Sequence, residues 1–366
     1  MLRGRKLTGK NQINDQAGDD IASKEEVLEA PPITMKRTTL ADIATAANVS
    51  LMTVSRAINH KPGVSAELRD HILRLADEMG YQPNTIARGL VTRRTATIGL
   101  VIPDNTNPFF AQIARGVEDA AFENRYSIFL VNTNEESLRE AAALDSLWQK
   151  GVDGLILCSS RLSTEALEQQ IQRFPAMVLI NRETGNPRPN LSTINIDDHY
   201  GATLAVAHLH AAGRRRIALI GGPANSTSNR RRMEGYKKGL AAMSQPFQPE
   251  LIESNAPTTD GGRAACATLL DRKPEIDAII AYNDLVAIGA MQVCLESGRK
   301  VPEDIAIIGF DDIPLASIIR PRLTTLHVNL MEIGSLAIKT LLENLDGDQP
   351  PHNYQIEPEL VIRDSA

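Results

Sequence analysis

The residues best suited to chemistry are polar side chains that stand just after short β-branched runs. Asp104-Asn105-Thr106-Asn107-Pro108-Phe109-Phe110 follows Thr97–Ile102, Asn283-Asp284 follows Ala278–Tyr282, and Asp311 follows Ile305–Phe310. Arg232 closes the run Arg230-Arg231-Arg232 and begins a helix after Gly221-Gly222-Pro223. Carboxylates and amides in such places can hold ligand hydroxyls, and an aromatic ring can lie on a sugar face. Each has a plainer role as well. Asn283 and Asp284 are both good N-caps, and Asp311 suits a turn. At most one of the three arginines is expected to point inward. One of Phe109 and Phe110 is expected in the core and the other at the cleft. Bond-breaking chemistry has no support: no GxGxxG follows a strand, and GxSxG, Walker A and HExxH patterns are absent. The pairs Asp197-Asp198 and Asp311-Asp312 read as caps or turns. Cys158, Cys266 and Cys294 form no CxxC, and His208 and His210 are two apart. Reduced, partly buried thiols are expected, with no metal and no cofactor.

A second set of candidates lies near the N-terminus. Thr39-x-x-Asp42 has capping-box spacing, and Leu40, Ile43, Ala44 and Ala47 fall on one helical face. Asn48-Val49 makes a tight turn. Ser50 caps a second helix with Val54, Ala57 and Ile58 inside, and Lys61-Pro62-Gly63 breaks it. Ser65 caps a third helix, with Leu68, Ile72, Leu75, Ala76 and Met79 inward and Gly80 at its end. Two helices about a tight turn, supported by a third, make a helix-turn-helix whose second helix enters the DNA major groove. Leu51 and Met52 then meet base edges by apolar contact, and Ser55 and Arg56 follow one turn later. Arg56 can pair bidentately with guanine. Thr39, Ser50, Thr53 and Asn59 suit phosphate contact.

From Thr97 strands alternate with amphipathic helices, the pattern of parallel sheets covered on both faces. About 270 residues of this exceed one core, so two lobes are expected. The clearest strands are Thr97–Ile102, Ser127–Val131, Gly154–Cys158, Ala176–Ile180, Thr193–Ile196, Ile217–Ile220, Ala278–Ala281 and Ile305–Phe310. The chain has 366 residues, 42% hydrophobic and 23% charged, and a net charge of −6. Residues 36–94 carry nine Lys/Arg against five Asp/Glu, a local +4 on an otherwise acidic chain. That asymmetry suggests an anionic partner for the small end. No apolar run approaches the ~18 residues of a membrane span. The N-terminus lacks the apolar core of a secretory signal, so a cytoplasmic protein with no membrane partner is expected. Residues 1–34 are polar, aperiodic and read as a disordered tail, either an extension or the product of a misplaced start codon. Asn84–Leu90 could form two helical turns, too few to stand alone in water. Leu90 at its end could wedge into a minor-groove step, or Ile86 and Leu90 could dock on the core.

Thr39-Leu-Ala-Asp-Ile-Ala, Val49-Ser-Leu-Met-Thr-Val-Ser-Arg56-Ala-Ile-Asn59, Gly80-Tyr81-x-Pro-Asn84 and Ala87-Arg88-Gly-Leu90 together resemble the lactose-repressor (LacI/GalR) family of bacterial transcription regulators. The resemblance runs from about residue 38 to the C-terminus. It implies a homodimer on a near-palindromic operator, paired hinge helices in the minor groove and a periplasmic-binding-protein-like effector domain. By the same likeness Tyr81, Asn84, Ala87 and Arg88 join the DNA contacts, Leu90 is the intercalating leucine, and Leu51 and Met52 hold variable specificity positions. Arg232, Asn283 and Asp311 match effector-contacting positions, Phe109 lies in the pocket loop, and Val328 stands where many members carry a polar residue. Asp104 is added from the strand-end reading above.

The expected architecture is therefore an all-α helix-turn-helix head plus an α/β effector body, a two-lobed domain with parallel sheets. Its expected divisions are a disordered extension over 1–36, a DNA-binding domain over 37–82, a hinge helix and linker over 83–95, and an effector-binding and dimerisation domain over 96–366. Lobe one takes 96–196 and 328–352, lobe two 197–327 and 353–366. The expected function is a ligand-responsive repressor of carbohydrate-use genes. Its partners would be operator DNA, a second copy of itself, and a small effector. Family members mostly sense sugars; Arg182 and the arginine run hint at a sugar acid or phosphate. The C-terminus has no leucine heptad, which favours a dimer over a tetramer. A solute-binding protein is the alternative, and the basic head argues against it.

Overall fold

The computed structural model describes residues 38–82, 94–185, 188–347 and 350–366. The chain separates into two compact units at Pro83.

The first unit is a three-helix head: α1 (Leu40–Ala46), α2 (Leu51–Ile58) and α3 (Ala66–Glu78). Each helix starts on a side-chain cap. Thr39 accepts from Asp42 N while Asp42 reaches back to Thr39 N at 2.8 Å, a complete capping box. Ser50 accepts from Thr53 N at 3.1 Å and Ser65 from Leu68 N at 3.3 Å. The turn between α1 and α2 holds Asn48 at φ 51°, left-handed backbone that asparagine tolerates. Ile43, Ala44, Val54, Ala57, Ile72 and Ala76 close a small core.

The second unit carries two six-stranded sheets. In the first lobe the order of elements is β1 (Thr97–Ile102), α4 (Pro108–Glu123), β2 (Ser127–Asn132), α5 (Ser137–Gln149), β3 (Gly154–Cys158), α6 (Thr164–Ile171), β4 (Met177–Ile180) and β5 (Leu191–Ile196). The second lobe adds α7 (Asp198–Ala211), β6 (Ile217–Gly221), α8 (Thr227–Ala242), β7 (Ile252–Ser254), α9 (Thr259–Arg272), β8 (Ala278–Ala281), α10 (Asp284–Glu296), β9 (Ala306–Asp311) and β10 (Thr324–His327). The chain then returns to the first lobe with α11 (Leu330–Asp346) and β11 (Asn353–Ile356), and ends in the second with β12 (Glu359–Val361).

The strand orders are β11-β5-β4-β3-β1-β2 and β12-β10-β9-β8-β6-β7, parallel throughout except for the β10–β12 pair. Near-continuous burial of β1, β3, β4, β5, β6, β8 and β9 is what helices on both faces require. Cores on the two faces of each sheet hold the lobes together. α4 packs so closely on α11 that a Cβ at Gly116 would lie 2.0 Å from the Met331 carbonyl oxygen. Cys158, Cys266 and Cys294 are fully buried free thiols, not partly buried ones.

One expected division is corrected. Residues 353–356, expected in the second lobe, form β11, which pairs parallel with β5 over Asn353–Ile356. The last crossing therefore falls between Ile356 and Glu359.

Candidate ligand cleft and nucleic-acid interface

The C-terminal ends of the two sheets face each other across a cleft within the second unit. Its inner chamber is lined from the first lobe by Asn107, Phe109, Phe110, Glu135, Ser159 and Asn181, and from the second by Ser228, Arg232, Pro257, Tyr282, Asn283 and Asp311. The inner chamber holds only about 20 Å³ of free space, and an outer chamber of about 610 Å³ adjoins it, sharing Asn107, Glu135 and Pro257 and adding Asp104, Asn134, Ser254 and Asn255 among others.

Arg232 is the electrostatic centre. α8 begins on the Ser226 cap, and its first turns bring Ser228 and Arg232 to the chamber. The Arg232 guanidinium is almost fully buried. Its Nε donates to Asp198 Oδ1 at 2.7 Å, and its Nη1 donates to the Tyr282 carbonyl. The rings of Tyr282 and Phe310 stand 5.0 and 4.2 Å from it, in cation–π range. Asp311 Oδ1 is 3.8 Å from Nη2. Burial pushes the Asp311 carboxyl up to about 7, against the pull of Arg232 and with the help of Asp198. Its backbone is left-handed, φ 106°, which for a non-glycine residue is strained. Asp284 behind it is also raised, by burial and by the charge of Asp311.

Asn283 caps α10: Oδ1 accepts from Val286 N at 2.9 Å, while Nδ2 donates to the Pro257 carbonyl at 3.3 Å. Asp284 does not face the chamber; it accepts from Ile313 N and Thr325 Oγ1. Asp104 lines the outer chamber and accepts from Thr106 N and Oγ1.

Two expectations are corrected here. Phe109 and Phe110 are not divided between core and cleft: both are buried, edge-to-face at 5.0 Å, and both line the inner chamber. Two of the three arginines point inward, since Arg231 is buried beside Arg232 while Arg230 is exposed. Sequence reasoning missed Ser159 and Asn181, which directly follow β3 and β4 at φ 48° and 54°. The strand-end rule that found Asp104 and Asp311 also reaches them. Glu135 and Ser228 had no comparable signal.

In the head, Leu51 and Met52 are 53% and 64% exposed at the start of α2. An apolar pair so placed is unusual unless something covers it. Ser50, Arg56 and Asn59 are exposed, Thr53 and Ser55 half-buried. Ser50 Oγ and Thr53 Oγ1 lie 2.8 Å apart, and Asn59 Nδ2 donates to the Ser55 carbonyl at 2.7 Å. Thr39 is held in its capping box. Tyr81 packs against the head core, and burial raises its phenol. Asn84, Ala87, Arg88 and Leu90 lie outside the described residues. Among the described residues no cluster could hold a metal, and no helix is long and apolar enough to cross a membrane.

Residues 39–84 match the family described as bacterial regulatory proteins, lacI family. Residues 95–363 match periplasmic binding proteins and sugar binding domain of LacI family. The ribose operon repressor of Halalkalibacterium halodurans is 36% identical over 330 residues, 90% of this chain and 97% of that protein. The HTH-type transcriptional repressor PurR of Haemophilus influenzae is 33% identical over 334 residues, 90% of this chain and 98% of that one. Among solved structures, a lac repressor dimer bound to operator and the anti-inducer ONPF matches with a TM-score of 0.82 and 27% identity, covering 90% of this chain and 99% of that one. Two matched regions that together span the head and the body, and relatives matched nearly end to end, place this chain in the lacI family of bacterial regulatory proteins.

Proposed function

We propose that the protein is a cytoplasmic, ligand-responsive repressor that binds a palindromic operator as a homodimer and controls carbohydrate-use genes. The observation that carries this reading is the chamber around Arg232, Asn283 and Asp311 in a chain whose head presents exposed Leu51 and Met52. An effector that favours one arrangement of the lobes shifts the population competent for DNA by its difference in affinity. Residues 83–95 connect the two units and are the element through which such a shift would reach the operator, with Leu90 as the minor-groove wedge.

The effector is a neutral sugar rather than a sugar acid. Asp104, Glu135 and Asp311 line the two chambers, whereas Arg232 is already neutralised by Asp198. An added anion would meet the carboxylates of Asp104 and Asp311, while Glu135 is already paired with Arg161 and Arg232 with Asp198. Hydroxyl groups would find acceptors in those carboxylates and donors in Asn107, Asn181 and Ser228. The relatedness to a ribose operon repressor makes D-ribose the first probe.

The homodimer has support in the first lobe. β2 is the edge strand of its sheet and exposes Phe129 and Leu130, with Phe122 on α4 and Met331 on α11 also exposed. An unpaired apolar edge of this kind is normally covered.

The test is selection of bound duplexes from a random pool, followed by footprinting with and without D-ribose and other neutral sugars. The expected result is protection of a two-fold symmetric site, weakened by salt and altered by one of the sugars. Salt-sensitive binding with no sequence preference would refute the reading.

A further inference from the structure

Arg231 precedes Arg232 on α8 but reaches in a different direction. Its guanidinium donates to Asn195 Oδ1 at 3.2 Å and to the Ile196 carbonyl at 3.5 Å, and pairs with Glu183. All three acceptors belong to the first lobe: Asn195 and Ile196 end β5, and Glu183 lies in the segment after β4. The same segment sends Arg182 to Thr227 Oγ1 on α8, 3.2 Å away. It also supplies Asn181 to the inner chamber.

The spacing explains how one helix serves both purposes. Thr227 and Arg231 are four residues apart and form one stripe; Ser228 and Arg232 are also four apart and form the next. The first stripe grips the opposite lobe, and the second lines the chamber. Asn195 and Ile196 stand where the chain crosses into the second lobe, so a rotation of the lobes about that crossing would change the geometry of these two bonds and stretch the pair with Glu183. Glu183 is largely exposed, and a screened pair of that kind contributes little. The weight falls on the buried bonds to Asn195 and Ile196, whose loss would leave buried acceptors unpaired.

We propose that Arg231 is a positioning residue that sets the balance between closed and open lobes, and through that balance the apparent affinity for the effector. It touches no ligand. A binding-competent state populated at a fraction of the protein weakens apparent affinity by that fraction, so loss of Arg231 lowers affinity without altering the chamber. This goes beyond the repressor reading, and its first test needs no effector.

Spin labels at Asn105→Cys in the first lobe and Asp260→Cys in the second report the separation of the lobes in the full-length chain. Both sites are exposed, whereas the native thiols are buried. Arg231→Ala is expected to move the distance distribution to longer values, Arg231→Lys to shift it less, and Arg230→Ala, an exposed neighbour, not to shift it. If Arg231→Ala fails to fold, the combined Glu183→Gln and Asn195→Ala variant is expected to shift it the same way. A distribution that coincides with the parent in the variants that fold overturns the proposal, whatever the change in melting temperature. In calorimetric titration with D-ribose, Arg231→Ala is expected to bind about tenfold more weakly, whereas Arg232→Ala loses binding altogether. A parent protein that ignores D-ribose would remove ribose as the effector and leave the distance measurement to decide Arg231.

Discussion

Asp198 Oδ1 lies 2.7 Å from both Nε and Nη2 of Arg232, accepting a hydrogen bond from Nε and standing in ion-pair contact with Nη2. Asp198 Oδ2 is buried and has no hydrogen-bond partner among the described residues. The pair is thus tightly coupled yet incompletely satisfied, with Arg232 on the wall of the inner chamber and Asp198 buried behind it.

Arg232→Met is expected to destabilise the protein by about 3–5 kcal/mol, because it strands the buried Asp198 carboxylate. The double variant Arg232→Met, Asp198→Leu should recover part of that loss, since the uncompensated charge goes with it. Urea unfolding of the two variants measures the difference. Equal losses would mean the carboxylate is not the source of the cost.

Asp311 gives a pH dependence with a defined sign. Its folded-state carboxyl is raised to about 7, above the unfolded value near 3.9. The folded state therefore holds a proton that the unfolded state has lost, and the associated stability falls as pH rises from about 4 through about 7. Asp284 is raised in the same direction. Asn at position 311 should flatten the slope partly, leaving the contribution of Asp284. Ligand hydroxyls favour the ionised Asp311, so sugar binding is expected to tighten between pH 6 and 8 and to release protons in calorimetry. Asp311→Asn should bind without that proton release.

Gly116→Ala places a methyl against the Met331 carbonyl and is expected to cost about 1–3 kcal/mol by forcing α4 away from α11. Thermal unfolding reports it. Ala at Gly151, where no atom lies within 4 Å, is a control for added bulk, although its φ of 65° carries its own strain.

In the head, Arg56→Ala is expected to cost about 1–3 kcal/mol of discrimination at a single base pair, with little change at other positions. Leu51→Ala and Met52→Ala should change which duplexes are preferred while leaving the salt dependence intact, because neither side chain carries charge. Competition between operator variants at two salt concentrations separates the cases.

Phe129→Asp on the edge strand β2 is expected to shift the sedimentation profile toward monomer and to weaken operator binding along with it. A dimer that survives the change would place the subunit contact elsewhere.

Much of this molecule could be read directly from residue order. The capping box of Thr39 and Asp42 marks the start of α1, and β3 and β8 fall on apolar runs too short and too buried to be anything but inner strands. The edge elements were hidden for a physical reason: Ile252–Ser254 and Asn353–Ile356 mix polar and apolar residues because only part of each is buried. Backbone pairing to a neighbour far away in sequence, not side-chain burial, makes them strands. At the site, Asp311 and Asn283 were visible as strand-end residues. Arg231 was not, because a run of arginines normally faces water, and only the nearness of Asn195 and Ile196 draws it inside.

Asn283 uses one lone pair of its carbonyl oxygen on Val286 and one amide hydrogen on Pro257, so its amide cannot turn over. A sugar bound beside it would meet a fixed polarity, with an acceptor edge and a donor edge that do not exchange places. An epimer with one hydroxyl inverted would set its hydrogen against the wrong edge. The group that starts a helix would thereby also distinguish left from right in what the cleft admits.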